Sequence, residues 1–80
     1  MDELLNQLQG IFRDVLDQPE LELRHDSSAR TIEGWDSLAH INLISAIEQE
    51  FGIHFALGEL ENLKNVGEMI GLMKTKIARR

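Results

Sequence analysis

Ser37 is the residue best placed to do chemistry in this chain. It stands between Asp36 and Leu38, directly after the turn-like pair Gly34-Trp35, at the mouth of an apolar helical pattern. A hydroxyl in that position is exposed and addressable. A serine at a helix start most often does no more than satisfy backbone donors that the first turn leaves unpaired. Nucleophilic catalysis asks for more: a base in hydrogen-bond reach and an oxyanion hole. Here His40 lies one turn along the same helix, no Gly-x-Ser-x-Gly elbow surrounds the serine, and so short a chain has little room for a cleft. By position alone Ser37 reads as a cap, and a cap can coexist with modification, because an anionic group carried at a helix N-terminus meets exposed amide hydrogens and the positive end of the dipole.

The other titratable residues form no obvious site. His25, His40 and His54 fall in different segments without metal-ligand spacing and read as surface or loop residues. Acid pairs such as Glu20/Glu22 and Glu59/Glu61 read as solvated faces. There is no cysteine, so the protein supplies neither a disulfide framework nor a thiolate, and any thiol it works with is imported.

Four helical segments must position Ser37. The first runs from about Asp2 to Leu16, with Leu4, Leu5, Leu8, Ile11, Phe12, Val15 and Leu16 on one stripe, and ends before Pro19. Gly10 weakens it by about 1 kcal/mol relative to alanine. A long connection from Asp17 to Asp36 follows, pinned by Leu21, Leu23 and Ile32, with His25-Asp26-Ser27-Ser28 as a solvated turn. The second helix spans Ser37 to Phe51, capped by Asp36 or Ser37 and ended by Gly52. A short helix near Leu57 to Leu63 directs Leu57 and Leu60 inward. The last helix has Asn65 as N-cap with Glu68 at capping-box spacing, then Val66, Met69, Ile70, Met73 and Ile77 on one face. The expected fold is all-α: a single domain over residues 1–80, a small antiparallel bundle of three main helices plus one short helix, with a long loop between the first and second. Trp35 is expected to pack over that loop.

Charge narrows the partners. The net charge is −6, with −10 over residues 1–63 and +4 over residues 64–80. An acidic chain lacks the arginine and lysine footprint that nucleic acid requires. The basic end, with Lys74, Lys76, Arg79 and Arg80, reads as a solvated helix C-terminus where cations oppose the dipole, rather than as a lipid-binding patch. No apolar run reaches the ~20 residues of a bilayer span, and the amino terminus is acidic where a signal peptide is basic. A cytoplasmic monomer with no stable membrane insertion is expected.

The segment Gly34-Trp35-Asp36-Ser37-Leu38-Ala39-His40-Ile41-Asn42-Leu43-Ile44, with Glu48-Gln49-Glu50-Phe51-Gly52-Ile53 behind it, resembles the prosthetic-group site of the acyl carrier protein family. The stretch from Phe55 to Met69 resembles the junction of the third and fourth helices in bacterial members. The resemblance implies a carrier rather than an enzyme, with 4′-phosphopantetheine attached to Ser37 by a separate phosphopantetheinyl transferase. The arm's terminal thiol then holds acyl or aminoacyl groups as thioesters. It also implies that partners read the second helix, at Asp36, Leu38, Ile41, Asn42, Ser45 and Glu48. These partners would be a loading ligase or transferase and a downstream synthase or transferase.

Departures from the family bear on cargo. Housekeeping fatty-acid carriers are usually acidic along the second helix, where this chain has Ala39, His40 and Asn42, and Ser45 takes a place often held by an apolar contact residue. That favours a specialised pathway. An aminoacyl or peptidyl carrier loaded by an adenylating ligase stays open, as does an unmodified acidic interaction module whose Ser37 is only a cap.

Overall fold

The computed structural model describes residues 3–56, 58–59 and 63–80. It is all-helical: α1 spans Glu3–Val15, α2 spans Ser37–Phe51 and α3 spans Val66–Arg79. Of the short helix expected near Leu57 to Leu63, Gly58 and Glu59 are helical, whereas Leu57 and Leu60 lie outside the described residues.

Each helix begins or ends where local chemistry demands. The first stops ahead of Pro19 as Asp17 turns into the left-handed region at φ 53°, one of the few conformations that a short polar side chain tolerates better than a bulky one. Gly52 closes α2 at φ 65° and ψ 41°, and its N–H reaches the Glu48 carbonyl. Asn65 caps α3, its Oδ1 accepting from the Glu68 N–H at 2.9 Å. The apolar stripes of the helices then meet. Leu8 and Phe12 of α1, Leu43 and Ile47 of α2, and Val66, Met69 and Met73 of α3 are all but fully buried, joined by Leu23, Ile32 and Trp35 from the long connection. The Trp35 ring meets Phe12 edge-on, centroids 5.0 Å apart, so the tryptophan does pack over the loop as expected.

The connection is held by the polar edge of α1 and the turn that follows. Gln9 Oε1 accepts from the Leu23 N–H at 2.9 Å, Arg13 Nε donates to the Leu21 carbonyl at 2.7 Å, and Gln18 Nε2 donates to the Glu33 carbonyl at 2.6 Å. One segment differs from the sequence expectation. The turn at residues 25–28 is docked rather than solvated: Ser27 is only 7% exposed, and its hydroxyl accepts from the Arg24 N–H. The carbonyls of Ser27 and His25 accept from the N–H groups of Val66 and Gly67 at 2.8 and 2.7 Å. The turn therefore satisfies backbone donors that the start of α3 would leave orphaned. A Cβ at Gly67 would sit 3.0 Å from the His25 carbonyl oxygen, so any larger residue there would have to push that carbonyl aside.

The basic end is also less solvated than expected. Lys76 Nζ pairs with Glu59 Oε1 at 2.8 Å and lies over the Phe55 ring. Its hydrogen bond to Glu59, joined by one from the Ala56 N–H, holds that carboxyl below the usual range. The Arg80 guanidinium donates to the Phe51 carbonyl at the end of α2. Among the described residues, no helix is long and apolar enough to cross a membrane.

Candidate functional site

The entry into α2 is built by a tight turn. Gly34 takes φ 86°, a conformation glycine adopts without strain, and the chain then extends through Asp36 at φ −101° and ψ −172°. Asp36 Oδ1 accepts from the Ala39 N–H at 2.8 Å. Asp36 is thus the cap, and Ser37 is the first helical residue, exposed to solvent. The Ser37 hydroxyl has no hydrogen-bond partner among the described residues. The capping duty that would explain a serine here is carried by its neighbour, which leaves the hydroxyl available for substitution.

Beside Ser37 opens a cleft of about 1190 Å³. Trp35, His40 and Ile41 form one side of it, Ser28 and Arg30 of the connection another, and Leu63, Lys64 and Met69 a third. The cleft has the volume for a flexible chain leaving Ser37, and it mixes apolar walls with hydrogen-bonding groups, the cations Arg30 and Lys64 and the carboxylates Asp26 and Asp36. An anion on Ser37 would stand at the positive end of α2. The residues present therefore fit a phosphodiester-linked arm.

His40 departs from the sequence expectation of a surface or loop histidine. It is half-buried, its Nδ1 accepts a hydrogen bond from Trp35 Nε1 at 3.1 Å, and the two rings lie nearly parallel, with centroids 6.0 Å apart and 21° between planes. Burial lowers its pKa from the ordinary imidazole value. No sequence rule pairs an aromatic in a turn with a histidine five residues on across a helix start, so only its type hinted at a role. With Nδ1 occupied by Trp35, the imidazole forms no nucleophile–base pair with Ser37. His25 and His54 are exposed and do not line this cleft.

The remaining expected contact residues lie along α2. Leu38 and Ile41 are 68% and 64% exposed, unusual for large apolar side chains, and Asn42 and Ser45 are exposed as well. At spacings of three, four and seven residues from Leu38 these form one stripe. Glu48 is half-buried, and its carboxylate accepts from the Phe55 N–H at 2.9 Å with His54 Nδ1 3.8 Å away. Its charge is therefore partly committed within the protein.

The family model of the phosphopantetheine attachment site matches residues 6–73. An acyl carrier protein of Petrotoga mobilis is 34% identical over 76 residues, covering 95% of this chain and 89% of that one. One of Thermosynechococcus vestitus is 34% identical over 77 residues, covering 95% and 94%. In three dimensions the chain superposes on the solution structure of a holo acyl carrier protein from Geobacter metallireducens with a TM-score of 0.88 and 48% identity, over 94% of this chain and 86% of that one.

Proposed function

Because this chain belongs to the acyl carrier protein family, whose members bear 4′-phosphopantetheine and are carriers rather than enzymes, we propose that Ser37 is its point of attachment. One observation carries the assignment: an exposed hydroxyl at the first position of α2, relieved of capping by Asp36 and bordering a cleft. In the transfer, the Ser37 oxygen forms a new bond to the phosphorus of coenzyme A as adenosine 3′,5′-bisphosphate leaves, and the hydroxyl proton passes to the transferase. When bound, the group supplies a terminal thiol that holds acyl chains as thioesters. The chain's own part is to present that arm. A tether raises the effective concentration of cargo at each partner enzyme, which explains why the carrier needs no catalytic apparatus. Incubation with coenzyme A, magnesium and a broad-specificity transferase should add one arm, located by fragmentation mass spectrometry to Ser37. Addition at Ser27, Ser28 or Ser45 would overturn the assignment.

The exposed stripe of α2 supports a dedicated cytoplasmic acyl pathway rather than bulk fatty-acid synthesis. No acidic residue occurs from Ser37 to Ile47, and Glu48 is partly committed to Phe55. Leu38 and Ile41, with Asn42 and Ser45 beside them, would dock in a partner pocket that is more apolar than one built for an acidic helix. Asp36 marks the end nearest the arm.

A further inference from the structure

His40 sits one helical turn after Ser37, and helix side chains lean toward the N-terminus, which directs its ring toward Trp35 and the start of α2. The ring lines the same cleft as Ser37. Its Nδ1 is committed as an acceptor: indole nitrogen only donates, so the bond from Trp35 Nε1 requires a bare lone pair on Nδ1. A neutral imidazole with Nδ1 bare carries its proton on Nε2. That Nε2–H has no partner among the described residues.

Resting on the reading of Ser37 as the attachment site, we propose that His40 is a positioning residue for the arm, fixed by Trp35 in the Nε2–H tautomer and donating that proton to a phosphodiester oxygen on Ser37. Trp35 is the rigid side of the arrangement, buried to 9% exposure and braced against Phe12. The tautomer matters because a histidine free to rotate or to move its proton offers a donor only part of the time. Holding the phosphodiester against α2 restricts the root of the arm and sets the direction in which it leaves the surface. The sequence marks Trp35 and His40 separately; their hydrogen bond makes them one device.

Nitrogen-15 and phosphorus-31 NMR of apo and loaded protein test this directly. The apo protein should show His40 protonated on Nε2 and bare on Nδ1. On loading, the Nε2–H should exchange more slowly, and His40 should titrate at higher pH because an anion now stands beside it. The other charged groups around the cleft, Asp26 and Arg30 from the connection, Asp36 at the start of α2 and Lys64 ahead of α3, are the same in both states. The phosphorus resonance should shift in loaded His40→Phe, which keeps a ring but no donor, and return toward the wild-type position in His40→Gln, which restores an N–H. A proton on Nδ1 in the apo protein would overturn the proposal. So would identical phosphorus resonances in wild type and His40→Phe when mass spectrometry shows one arm on Ser37 in both. Absence of the arm from wild-type Ser37 would instead remove the attachment reading, and this proposal with it.

Discussion

Replacing Asp36 and Ser37 one at a time should separate the stability of α2 from its function. In Ser37→Ala the lost hydroxyl has no partner among the described residues, its site is exposed, and alanine is the better helix former. The expected change is therefore within about 0.5 kcal/mol of zero. In Asp36→Ala the 2.8 Å bond to the Ala39 N–H disappears and a helix donor is orphaned, which costs about 1 kcal/mol, with a range of roughly 0.5–2. For a domain of this size, 1 kcal/mol is a shift in Tm of about 4–8 °C. Urea and thermal melts followed by circular dichroism read the stability, and intact mass after incubation with transferase reads the function. Ser37→Ala should melt like wild type and take no arm, whereas Asp36→Ala should melt lower while keeping an acceptor hydroxyl. A loss well above 1 kcal/mol in Ser37→Ala, or a neutral Asp36→Ala, would show that the serine is the structural cap and refute the division of labour.

Two glycines should respond with opposite sign: Gly10→Ala, where an added Cβ meets nothing within 4 Å, should stabilise by about 0.5–1 kcal/mol, while Gly67→Ala should destabilise by forcing the His25 carbonyl away, both read by denaturant midpoints. Since burial keeps the folded pKa of His40 below its ordinary value near 6.5, its contribution to stability is complete above that value and is lost as pH falls through it toward the folded pKa. Melts between about pH 7 and pH 5 should fall more steeply for wild type than for His40→Gln; parallel curves would contradict this. Adding charge to α2 through Ala39→Asp with Asn42→Glu should raise kcat/KM with a housekeeping malonyl transferase at low salt, and the gain should fade as the Debye length drops from about 10 Å near 0.1 M to about 3 Å near 1 M. A salt-independent gain, or wild-type activity equal to that of a housekeeping carrier, would count against a dedicated pathway.

The sequence by itself determined the features whose causes lie within a few residues of one another. A cap at Asp36 or Ser37, the cap at Asn65 and the left-handed stop at Gly52 are local hydrogen bonds or local backbone preferences, and the apolar stripes of α1, α2 and α3 follow from helical periodicity. The exposed serine beside them was legible for the same reason. Which of Asp36 and Ser37 caps the helix was not legible, because both can, and the structure commits Asp36 to Ala39. It also turned His25 and Ser27 from a solvated turn into the carbonyl cap of α3, and drew Lys76 from the surface onto Glu59 and Phe55. His40 likewise changed from a surface histidine into the partner of Trp35. For the 25–28 turn, Lys76 and the Trp35–His40 pair, the residue's type states what bonds it can make, but its partner is held in place by the packing of apolar stripes elsewhere in the chain, and no local pattern encodes that distance.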